Sequence, residues 1–151
     1  MRSSFSAVLL AALIFPTISF AQSGVSRVQE ARSAQFKALG ASFKAVNEML
    51  RRDKVSQRDL MPRVRDVRAR ARALPGWFPK GSGLGSGGET KAKPEIWTNA
   101  AGFRTAAQSF AVEATRLETL VRQGNMSDVA DQVKIVGRTC ATCHATFRIK
   151  Q

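Results

Sequence analysis

Along four stretches of this 151-residue chain, apolar residues recur at alternating steps of three and four. That spacing keeps one face of a helix apolar turn after turn, and it suits packed helices and no strand. The first stretch runs from about Gly24 to Arg52, with Val25, Val28, Phe36, Leu39, Phe43, Val46 and Leu50 on one stripe. The second follows Ser56, a suitable N-cap, and carries Leu60, Val64, Val67 and Ala71. The third starts near Pro94 and ends at Gly124, with Ile96, Ala100, Phe103, Ala107, Phe110, Ala114, Leu117 and Val121. The fourth follows a cap at Ser127 and carries Val129, Val133, Val136, Cys140, Cys143 and Phe147.

Connections then decide the arrangement. Two are short. The third, from Leu74-Pro75-Gly76-Trp77-Phe78-Pro79 through Gly81, Gly83, Gly85, Gly87 and Gly88, is one long loop. Four amphipathic helices joined this way predict an all-α, antiparallel four-helix bundle. The small residues Ala100, Ala107 and Ala114 leave room for something wide in the core, although alanine is also a good helix former.

Ahead of the bundle, Met1-Arg2 and an apolar run from Phe5 to Phe20 end in Ser19-Phe20-Ala21. This is the grammar of a secretory leader cut after Ala21, which makes residues 22–151 an exported, mature domain without stable membrane insertion. The net charge is +13, or +12 once Arg2 is gone. A basic surface suits an acidic redox partner or an anionic membrane, and on a bundle it is also ordinary solvated surface. Nucleic acid is not expected as a partner for an exported chain.

The two cysteines and the one histidine of the chain stand together as Cys140-Ala141-Thr142-Cys143-His144. This is the Cys-x-x-Cys-His pattern of c-type haem attachment. On a helix, positions three apart share a face, so two sulfurs can meet one edge of a porphyrin, with the imidazole of His144 following to bind iron. A redox Cys-x-x-Cys belongs at a helix N-terminus after a strand, not deep in a helix. A disulfide is poorly formed at that mid-helix spacing, and zinc would lack a fourth ligand. Arg32 is a second oddity, because it falls on the apolar stripe between Val28 and Phe36. It either snorkels at the bundle end or pairs with an anion, and its donor fork suits a haem propionate. Arg148, one turn after His144, would close over the same cofactor edge or simply favour the helix dipole.

Arg32-x-x-x-Phe36, Phe78-Pro79-x-Gly81, Lys93-Pro94-x-Ile96-Trp97 and the C-terminal Cys140-x-x-Cys143-His144-x-x-Phe147-Arg148 together resemble the class II c-type cytochromes, in particular the cytochrome c prime family. The resemblance covers residues 24–150. It implies a left-handed bundle with one covalent haem among the helices, a periplasmic location and a homodimer formed through the first two helices. In low-spin relatives resembling cytochrome c-556, a methionine four residues after the arginine ligates the iron. Here that residue is Phe36, which has no lone pair. The expectation is therefore a five-coordinate, high-spin iron that binds a small gas such as nitric oxide, exchanges electrons with a periplasmic redox protein, or both. The alternative is a low-spin, six-coordinate electron carrier of the c-556 type. No distal histidine is present for peroxide chemistry, so no enzymatic turnover is expected.

Overall fold

The computed structural model describes residues 19–52 and 55–150. The expected leader, residues 1–21, lies outside them apart from its last three residues. Among the described residues, α1 (Ser19–Leu50), α2 (Gln57–Ala73), the short α3 (Glu95–Thr98), α4 (Ala100–Gln123) and α5 (Met126–Phe147) carry almost all the regular structure, with a 3₁₀ turn at Leu74–Trp77. No described helix is long and apolar enough to cross a membrane.

The apolar stripes face inward as their spacing predicts. Leu60, Val64, Val67 and Ala71 on α2 are fully buried, as are Ala114, Leu117 and Val121 on α4 and Val129 and Val136 on α5. Ser56 caps α2 by accepting a hydrogen bond from Asp59 N at 3.2 Å. Gly124 ends α4 with φ 76°, a left-handed conformation that a side chain would resist.

Two expectations need correction. Ser127 is not the cap of the last helix. Asn125 is, because its side chain accepts from Asp128 N and its backbone starts the turn two residues earlier. The third helix is not continuous from Pro94. It breaks at Asn99, whose side-chain Oδ1 accepts from Gly102 N at 3.1 Å and caps α4. Ala100 consequently sits half-exposed at a helix start and not within the core stripe.

Around the bundle, α1 packs on α2, α2 on α4, and α4 on α5, but α1 and α5 share no extended seam. Phe43 of α1 reaches across to Gly137, with ring atoms 3.8 Å from where a Cβ there would stand. After α5 the chain turns extended. Lys93 N donates to Phe147 O (3.0 Å) and Ile149 N to Lys91 O (2.9 Å), so residues 91–93 pin the end of α5.

Candidate haem site

Cys140 and Cys143 lie one turn apart near the end of α5, half-buried and both as free thiols. They continue the stripe of Val129, Val133 and Val136 and pack against the core. Burial, and for Cys140 also the charge of Cys143, raises both thiols above their usual range. Thiols held protonated are not the activated thiolates of a disulfide-exchange enzyme. The next residue, His144, is exposed beside a cavity of about 230 Å³ that Ala145, Arg148, Ile149 and Lys150 also line. Partial desolvation of the ring by its neighbours and then the Arg148 guanidinium lower its pKa, which favours the neutral imidazole that can offer a lone pair to a metal.

Phe36 is half-buried on α1 and is boxed in by rings from the long loop. Trp77 meets it edge-on at 5.0 Å and Phe78 at 6.0 Å. Phe78 in turn contacts Phe103 at 5.0 Å, and Phe103 contacts Phe147 at 5.4 Å. A chain of edge-to-face rings thus links Phe36 to the turn after His144, joining two motifs that stand far apart in the sequence.

Arg32 is 5% exposed, so it does not snorkel. Its Nη2 donates to Ser82 O (2.9 Å) and Thr90 Oγ1 (2.8 Å), and its Nη1 to Ser82 Oγ (3.0 Å) and Trp77 O (3.5 Å). The guanidinium also lies 4.8 Å from the centre of the Phe78 ring. Burial lowers its pKa, and all four oxygens are neutral, so a buried cation stands here without a carboxylate on these contacts. Arg148 is exposed, and its backbone pairs with Ala92, two residues after Thr90. One short segment therefore ties both arginines to the same end of the bundle.

Three site residues escaped the sequence reading: Gln29, Ser82 and Thr90. Gln29 is 3% and Ser82 2% exposed. The signal for Gln29 was present, because Gln29, Arg32, Phe36, Leu39, Phe43 and Val46 keep the three-four rhythm that Val28 does not. No spacing rule could have found the loop partners.

These residues fit a haem: two thiols on one helical face, an adjacent neutral imidazole, an aromatic wall, a buried cation suited to a carboxylate, and a bundle side left without a seam. A family model described as Cytochrome C′ matches residues 27–148. The chain belongs to the cytochrome c′ family. Proteins of this family carry one covalently bound haem c, and this chain is accordingly a haem c cytochrome. It is 36% identical over 70 residues to a cytochrome c′ of Rubrivivax gelatinosus, a match spanning 46% of this chain and only 54% of that one. It is 28% identical over 123 residues to a cytochrome c-556 of Agrobacterium tumefaciens (strain B2A), spanning 81% and 97%. Its fold matches a ferrous cytochrome c′ variant of Alcaligenes xylosoxidans with bound NO, at TM-score 0.76 and 18% identity over 84% of this chain and 97% of that one. The cytochrome c′ bundle is thus the fold here, antiparallel and built from four long helices.

Proposed function

We propose that this protein is an exported mono-haem cytochrome that keeps one iron face open to a small gas, foremost nitric oxide. In this reading Cys140 and Cys143 form the thioether links and His144 is the iron ligand. Arg32 and Arg148 would hold the cofactor's propionates. When bound, haem c supplies an iron that can take up an electron or a diatomic ligand. The chain's own residues determine which of the two is favoured.

The observation that carries the reading is Phe36. It stands where a ligating methionine would be expected in c-556-like relatives, offers no donor atom, and is walled in by Trp77 and Phe78. Such a wall admits a diatomic molecule and excludes bulkier ones. Two of the other methionines are badly placed to substitute. Met126 opens α5, 18 residues before His144 and about 27 Å away at 1.5 Å per residue. Met49 lies at the far end of α1, about 20 Å along the helix from Phe36. The Alcaligenes relative of the same fold holds NO in its ferrous form, which supports nitric oxide as the ligand.

A periplasmic location follows from the leader, and a homodimer through the first two helices from the family resemblance. The protein binds and carries without turning over a substrate. The second reading, a low-spin electron carrier, is favoured by the c-556 relative that aligns over nearly its whole length. Absorption spectra of the ferric and ferrous protein, with and without nitric oxide, separate the two. A high-spin ferric spectrum and ferrous nitric oxide uptake are expected. A low-spin ferric spectrum with a methionine-to-iron charge-transfer band would overturn the open-face reading.

A further inference from the structure

Gln29 lies on the inward stripe of α1, one turn before Arg32, and is 3% exposed. An amide taken out of water costs free energy unless each polar atom finds a partner. Its Nε2 donates to Gly83 O (2.8 Å), with Ser82 O (3.3 Å) and Ser86 Oγ (3.2 Å) also in reach. Its Oε1 is buried and has no partner among the described residues. Leucine at this position would extend the apolar stripe without that cost. What glutamine adds is a grip on residues 82–86.

That segment is hard to order by itself. It belongs to a loop with glycine at 81, 83, 85, 87 and 88, and glycine loses more conformational freedom on folding than any other residue. Ser82 O accepts from both Gln29 and Arg32, so two side chains of α1 converge on one carbonyl. On the other side Gly83 lies against the Trp97 ring, where a Cβ would come within 3.1 Å. Gly88 abuts Gln29 itself, and a methyl there would collide with Oε1. The same loop begins with Trp77 and Phe78, the rings that enclose Phe36.

The two cross-links differ in strength. Arg32 makes charge-assisted hydrogen bonds, the stronger class, whereas Gln29 makes neutral ones and leaves an acceptor unused. The Gly83–Gly88 end of the loop is therefore the more weakly tied to α1. We propose that Gln29 is a positioning residue for ligand entry: it latches this loop to α1, holds Trp77 and Phe78 against Phe36, and a diatomic ligand enters when the latch lets go. The inference rests on the reading that Phe36 lines the open iron face.

The test compares the haem-loaded parent with Gln29→Leu and Gly88→Ala, two changes on opposite sides of one contact. Amide hydrogen exchange at Ser82, the buried residue whose N–H donates to Pro79 O (3.3 Å), is expected to quicken about tenfold in each, the size of one lost hydrogen bond. Carbon monoxide association with the ferrous protein, followed after flash photolysis, should quicken in step, while the urea midpoint barely moves. The double variant should add little to either single one, because both break the same contact. Faster loop exchange with parental carbon monoxide rates in both variants would leave the open face standing and overturn the latch. A parent that is six-coordinate and takes up no carbon monoxide would overturn the open-face reading, and the latch with it.

Discussion

The α2–α4–α5 side of the bundle and the α1 side are built to different standards. On the first, aliphatic side chains from three helices interlock with no solvent exposure, among them Leu60, Val64, Val67, Leu117, Val121 and Val136. On the second, Leu39 and Val46 are the only buried apolar residues of the α1 stripe, beside the buried polar Gln29 and Arg32, while Val25, Val28, Phe36, Phe43 and Leu50 stay half-buried. The sequence pattern of α1 is as regular as that of α2, so the difference lies in what the stripe meets. Three helices complete one another. The fourth is completed by a glycine-rich loop and by the side on which Cys140 and Cys143 lie. A bundle finished on three sides and unfinished on the fourth suits a flat apolar cofactor, whose burial would supply the missing contact area.

The strongest way to break this comparison is to remove the attachment. The double variant Cys140→Ser, Cys143→Ser should carry no covalent haem and should lose ligand binding entirely. Its α1 amides should exchange far faster than in the haem-loaded parent, while those of α2, α4 and α5 stay substantially protected. Equal protection of all four long helices without haem would show that the α1 side needs nothing more. The next effect is spectroscopic. Phe36→Met places a thioether where c-556-like relatives are expected to have one, and the ferric protein should shift from high-spin to low-spin. An unchanged spectrum would mean that residue 36 does not face the iron.

Legibility followed the same division. The α2 stripe read from the sequence is buried at every position, because each residue meets an aliphatic neighbour and the period alone decides the face. The Cys-x-x-Cys-His motif was equally plain, since its chemistry is local to one helical turn. What could not be read depends on contacts across long separations. Arg32 was visibly out of place, but its partners Ser82 and Thr90 are 50 and 58 residues away in a loop without periodicity. The break at Asn99 was hidden for a different reason. Ile96 and Phe103 stay buried on either side of it, so the pattern runs through the interruption. Only an asparagine three residues before Gly102 marked the new cap.

The finished side holds a buried charge that tests how rigid it is. Glu118 on α4 is 4% exposed at its side chain and joins Arg68 of α2 (2.8 Å) and Arg122 (2.6 Å), with Arg65 at 3.9 Å. Burial alone would raise its carboxyl pKa. The hydrogen bonds from Arg122 and Arg68, with their charges, outweigh that and hold it below its usual 4.5. A carboxyl lowered in the folded state stabilises above its unfolded pKa, and that contribution is lost as pH falls through the folded value. Glu118→Gln should cost about 2 kcal/mol near neutral pH, less than a fully buried pair because Arg122 and Arg65 are largely exposed. The difference from the parent should shrink in acid. Urea titrations at neutral pH and near pH 3 would check both, and a pH-independent difference would assign the loss to packing.

The smallest expected effect concerns the turn into α5, on the same finished side. Asn125 accepts from Asp128 N and also donates to Asp128 Oδ2 at 2.6 Å, whereas the Ser127 hydroxyl only donates to Asn125 Oδ1. A cap satisfies a backbone N–H that the helix leaves without a partner, and a residue already inside the first turn has no such group to serve. Asn125→Ala should therefore cost about 1 kcal/mol and Ser127→Ala no more than about half of that. Equal losses would mean that the cap is shared between the two residues. A larger loss at Ser127 would move the helix start back to the position that the spacing of Val129 and Val133 suggests.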